Sequence, residues 1–264
     1  MRASMNSPTR TLILIMIGLV AIGMLIALSY YRNINRSIDP RVIKARELYA
    51  RYDIYAQEGN YYKVFALLDS IESIYKATKH YEGSFELGVL YNNRAAALLT
   101  ISMSADSIPM KYNPYANIKV DSIVALAEMN ALKAISIYDN WLIGYTGKSR
   151  EQICEIIEPQ FMEGLENTTT DLKRKYLIAR AKDIEKAISE NDRRLSVCYT
   201  NLGIVFRQME KYEEAVRNYK KALDLWDRNL NAENNINLLL GRPLKKRNFI
   251  QKLFPPDRDQ KTTN

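Results

Sequence analysis

The chain has 264 residues, 38 lysines and arginines against 30 aspartates and glutamates, a formal charge of +8, and 47% apolar side chains. This balance excludes a disordered or fibrous polymer and suffices for one or two domains with a sizeable core. The surplus charge suits an acidic partner, a nucleic acid or an anionic surface, yet the basic residues are scattered among the acids, so most of them read as solvated helix faces.

From Thr11 to Tyr31 the chain carries no charge. At helical rise that length crosses a hydrocarbon layer of about 30 Å, and Tyr30 and Tyr31 then fall at interface depth. A cleavable leader is the competing reading, because Ala27-Leu28-Ser29 loosely fits a cleavage site, but the apolar run exceeds the usual leader core of about 7–15 residues. An uncleaved anchor is expected. Arg32, Arg36, Arg41, Lys44 and Arg46 crowd its C-terminal flank. Their excess favours a cytoplasmic domain, whereas the short basic N-tail is the start of many exported, anchored proteins, which leaves a periplasmic domain open.

Asp39-Pro40 is a helix start, with the aspartate as cap and proline where no hydrogen bond is lost. The spacing predicts a helix to about Gln57, a turn at Glu58-Gly59-Asn60-Tyr61, and a second helix through Val64, Leu68 and Ile71. Val89 to Leu98 opens another helix. Residues 104–119, with Pro109 and Pro114, read as an inserted loop and a candidate contact site. A further helix carries Ala127, Ala131 and Ala134, and Asp139-Asn140-Trp141 reads as a turn, after which Trp141 to Tyr145 begins a new unit. Two helices are expected between Glu151 and Asn191, broken at Thr168-Thr169-Thr170 and keeping the stack continuous.

Residues 199–226 carry the sharpest pattern: Tyr199, Leu202, Gly203, Phe206, Tyr212, Ala215, Tyr219 and Ala222 alternate large with small. Two helices cross closely only where one offers a small residue to a large one on the other. This segment resembles the tetratricopeptide repeat family. The resemblance implies an all-α solenoid of helix-turn-helix repeats, which here is expected to follow the one N-terminal transmembrane helix read from the uncharged run 11–31. The expected organisation is a tail at 1–10, an anchor at 11–31, a linker at 32–38 and a repeat domain at 39–241. Within that domain the best repeat is 192–227 and 230–241 is a capping helix; a basic flexible tail follows at 242–264.

Catalysis needs converging acid, base, nucleophile or metal groups, and the sequence offers none. His80 reads as a helix-end or surface residue, and Cys154 and Cys198 as small hydrophobes. No cofactor, no metal, no catalytic residue and no specific nucleic-acid partner are expected. The resemblance implies a protein or peptide partner in a concave groove lined by the first helix of each repeat. The matching positions are Tyr49, Asp53, Asn92, Asn93, Ala96, Ile143, Gly147, Thr200, Ile204 and Arg207. The stretch around Asn92-Asn93 is similar to repeat domains that grip a partner's terminal carboxylate. Of the five clamp positions, however, only Asn93 fits, since Tyr49, Asp53, Ile143 and Gly147 supply no cation. The expected function is a membrane-anchored scaffold; the alternative is an accessory subunit buried in a larger membrane complex. The single-span layout also resembles bacterial inner-membrane repeat proteins and mitochondrial import receptors, while partner, oligomeric state and sidedness stay open.

Overall fold

The structure is a computed structural model that describes residues 38–247 and, upstream, Met16, Val20 and Met24. The expected anchor at 11–31 lies outside the described residues apart from those three, as does the basic tail beyond residue 247. Among the described residues no helix is long and apolar enough to cross a membrane. All regular elements among them are helical.

Asp39 caps a short 3-10 turn, Pro40–Val42, by accepting a hydrogen bond from the Arg41 backbone N–H at 3.0 Å. The helix expected to run on to Gln57 is interrupted at Ala50 and Arg51, giving α1 (Ile43–Tyr49) and α2 (Tyr52–Gln57). Gly59 then takes a φ of +65°, which glycine adopts without strain. Asn60 caps α3 (Tyr61–Ala77) through the Lys63 N–H. Val64, Leu68 and Ile71 face inward, each with no exposure.

Two long helices follow, α4 (Phe85–Ser104) and α5 (Val120–Ile143), packed along their lengths. Their close approach depends on small residues: Ala95, Ala127, Ala131 and Ala134 are fully buried, and Gly88 abuts the Tyr138 ring. The connection between them holds two short 3-10 turns, Ala105–Ser107 and Met110–Tyr112. It is pinned by Tyr115, whose ring meets Phe65 edge-on at 5.2 Å.

The turn expected at Asp139–Trp141 does not form, and α5 continues to Ile143. The physical reason is the burial of Trp141, whose ring packs at 5.1 Å against Phe85 and 5.2 Å against Tyr145. A capping box at Ser149 and Gln152 starts α6 (Arg150–Met162), which pairs with α7 (Thr170–Ser189). Only Glu190 separates α7 from α8 (Asn191–Gln208), which pairs with α9 (Tyr212–Leu225) and is followed by α10 (Leu230–Leu239).

The order of packing corrects one expectation. α8 packs directly on both α4 and α5, so the α6–α7 hairpin does not stand in the row of helices. It lies beside the row as a brace. The row itself consists of the pair formed by α1–α2 with α3, the α4–α5 pair, the α8–α9 pair and α10; one core runs from the first pair to α8, and a separate small cluster of Ala222, Leu223 and Ala232 joins α9 to α10.

Candidate partner-binding face

The first helix of each pair contributes one strip of a shared face, and polar bonds join the strips. Asn93 on α4 donates to the Tyr49 hydroxyl at 2.9 Å, while the Tyr49 and Tyr52 rings stack at 5.9 Å. Asn201 on α8 donates to Asn92 Oδ1 at 2.9 Å, and one turn pair further on Ser102 donates to Gln208 Oε1 at 2.9 Å. Arg207 donates to Asn235 Oδ1 on α10 at 2.8 Å and approaches Met103 Sδ at 3.8 Å. These bonds set how far adjacent helices slide and splay, because each amide is half-buried or buried and loses water if it separates from its partner.

The residues predicted from the sequence therefore divide by what they touch. Asn93 and Tyr49 bond each other, Asn92 bonds Asn201, and Arg207 bonds Asn235 on α10 beside Met103 of α4, so each of these four predicted residues ties neighbouring helices. Asp53 is exposed, while Ala96 and Ile204 are half-buried on the same helix faces one turn along. Thr200 is not on the face: it is 3% exposed, its hydroxyl donates to the Ser196 carbonyl at 2.9 Å and accepts from Asn229 at 2.9 Å. Ile143 and Gly147 belong to the end of α5 and the turn after it, where Gly147 has a φ of +72°, so neither lines a first helix.

The face carries exposed apolar groups at Ile54 and Met103, near Asp53 and Ile204. Its one arginine from the predicted set is already hydrogen-bonded to Asn235. At the clamp positions Tyr49, Asp53, Ile143 and Gly147 supply no cation for a terminal carboxylate, and Asp53 opposes it.

A second polar centre, at the hairpin, was not legible as a site. Arg180 on α7 is 2% exposed and donates through Nη1 and Nη2 to Glu86 on α4, with the second contact at 3.2 Å. Its Nε donates to His80 Nε2 at 3.0 Å, and its guanidinium lies over the Tyr81 ring at 4.2 Å. Burial, reinforced by the adjacent guanidinium, pushes the His80 imidazole down to about 3, so the ring is neutral and free to accept. Burial alone would raise the Glu86 carboxyl, but Arg180 holds it below the usual carboxylate range. Arg46 on α1 pairs with Asp183 on α7, and Arg41 donates to the Phe161 carbonyl at 2.9 Å and to the Glu163 carbonyl. The hairpin thus reaches from the start of α8 back to the first helices. One sequence signal was available: Arg180 sits on the apolar stripe of α7 with Leu177, Ala181 and Ile184.

Among the described residues no group of histidine, cysteine, aspartate and glutamate side chains is arranged to hold a metal. Residues 196–229, spanning most of α8, all of α9 and the turn that follows, match the tetratricopeptide repeat family. The chain carries a tetratricopeptide repeat. Its small and large positions are those that pack here: a Cβ at Gly203 would lie 2.4 Å from the Tyr219 ring, and Ala215 and Ala222 are fully buried. No characterised protein and no solved structure matches the chain. Tetratricopeptide repeats generally mediate protein–protein interaction.

Proposed function

We propose that this protein is a membrane-anchored, non-enzymatic adaptor whose helix pairs stack as a repeat solenoid and bind a protein segment along the α1–α2, α4 and α8 face. The observation that carries this reading is the set of inter-helix bonds joining Tyr49 to Asn93 and Asn92 to Asn201, which hold three first helices side by side around Asp53, Ala96 and Ile204. The exposed Ile54 and Met103 with Asp53 suit an extended or helical segment that presents apolar side chains and a lysine or arginine. The anchor rests on the uncharged run 11–31, and tethering raises a partner's effective concentration without any new contact.

The test is cross-linking in intact membranes, comparing the wild-type chain with Ile204→Glu and Ala96→Glu. Specific adducts that vanish in both variants, with helix content unchanged, support the face. Adducts of equal yield in all three proteins would rule it out. An accessory-subunit role is the second reading, favoured by Met129, Leu132 and Ile143, which are 57%, 48% and 78% exposed on α5. Polar substitutions there that dissociate a larger assembly, while leaving the Ile204 variant assembled, would select it.

A further inference from the structure

The open end of the row is unfinished. α10 buries only Ala232, and between its C-terminal end and the start of α9 lies a groove of about 590 Å³ lined by Tyr212, Glu213, Val216, Arg217, Leu239 and Leu240. Tyr212 and Leu240 are each 53% exposed, and Leu238 and Leu244 extend the apolar surface beside it. The outer apolar side of α10 needs a cover, and among the described residues no further helix lies on it.

The chain runs back along the helix that forms one wall of the groove. After Gly241 it doubles back along α10: the Lys245 backbone N–H donates to Asn234 Oδ1 at 2.8 Å, Asn234 Nδ2 donates to the Lys245 carbonyl at 2.9 Å, and Lys245 Nζ pairs with Glu233 at 2.9 Å. Arg247 donates to the Arg228 carbonyl, which fixes the chain at the opposite end of α10 from the groove. The next residues, Asn248-Phe249-Ile250-Gln251-Lys252-Leu253-Phe254, hold four large apolar side chains in seven positions. α10 is roughly 15 Å long at helical rise. An extended stretch from 248 to 254 reaches about 23 Å, enough to return to the groove, and Asn248 is a residue type suited to the reversing turn.

We propose that residues 249–254 of this chain dock in the α9–α10 groove and cap the row, with Phe249, Ile250, Leu253 or Phe254 entering between Val216 and Leu240 and Lys252 facing Glu213. Charge and polarity fit in both directions, since the groove floor is apolar and its rim carries one carboxylate beside Arg217, which pairs with Glu214. This inference is independent of the adaptor reading, because the groove lies between α9 and α10 and shares no lining residue with the first-helix face.

Disulfide mapping in the full-length protein tests it. With Cys154→Ser in place and Cys198 fully buried, Val216→Cys is combined with Leu253→Cys and, as a reference, with Lys261→Cys. Docking predicts an intramolecular disulfide that forms at least tenfold faster for position 253 than for position 261, and that slows to the reference rate when Phe249→Ser and Phe254→Ser are added. Equal rates for the two pairs, or disulfides only between two molecules, would overturn the proposal, the latter by showing that a second copy fills the groove. Leu240→Cys replaces Val216→Cys if the latter lowers helix content, with the same outcomes.

Discussion

Gly203 and Tyr219 show how one missing side chain sets a helix crossing. A Cβ on Gly203 would sit 2.4 and 2.6 Å from two Tyr219 ring carbons, and that ring is fully buried. Overpacking of this kind costs about 1–3 kcal/mol, more than the roughly 1 kcal/mol alanine gains over glycine inside a helix. Gly203→Ala is therefore expected to lower the denaturation midpoint, and an unchanged midpoint would show that α9 can shift freely. His80 supplies a pH signature. Its folded value of about 3 lies below the ordinary 6.5, so as pH falls beneath 6.5 the unfolded chain takes up a proton the folded chain refuses. Stability present above pH 6.5 is lost progressively from there toward pH 3, whereas Glu86 acts in the same direction only below its ordinary 4.5. His80 has a φ of +72°, which asparagine tolerates. Thermal unfolding of His80→Asn between pH 7 and 5 should be flatter than that of wild type; parallel curves would contradict the neutral, half-buried imidazole.

At the scale of elements, the α6–α7 hairpin is the part the repeat pattern did not explain. It does not contribute a unit to the row, yet Arg180 inserts into the junction between α3 and α4, and Arg41 holds the end of α6 while Arg46 pairs with Asp183 one turn along α7. Removing one partner of a buried pair leaves the other charge uncompensated, at about 3–5 kcal/mol, while replacing both by apolar groups is often neutral. Arg180→Met should be strongly destabilising in chemical denaturation, and Arg180→Met combined with Glu86→Met should recover most of the loss. If the double variant were as unstable as the single, the hairpin would depend on that charge pair for more than pairing. The turns and caps of the elements were legible, as at Asp39 and Asn60, because each uses a local hydrogen bond. The turn misplaced at Asp139–Trp141 shows the opposite case: a polar pair signals a turn, but burial of Trp141 against Phe85 carries the helix through.

Across the whole molecule, the row of helices accounts for the shared face, and the uncharged run 11–31 accounts for its proposed tether. Vesicle flotation separates the two. The full chain is expected to float with lipid in high salt and a chain lacking 11–31 to sediment, with the same thermal midpoint; flotation without that run would place membrane contact on the helical domain. The face was only half legible in the sequence. Asn92, Asn93, Tyr49 and Arg207 were predicted from family spacing, but Asn93 bonds Tyr49, Asn92 bonds Asn201 and Arg207 bonds Asn235, and Thr200 turns inward to Asn229.

Local pattern alone determined the all-helical composition, the repeat read at 192–227 and overlapped by the family match at 196–229, the Asp39 cap and the small residues at close crossings, since each depends on neighbours within a few turns of the chain. Which helices adjoin was decided by tertiary structure. Bonds such as Arg180 to Glu86 and Asn201 to Asn92 join positions 94 and 109 residues apart. The desolvation of such groups is settled only when the whole row has closed around them, so no short-range periodicity records it.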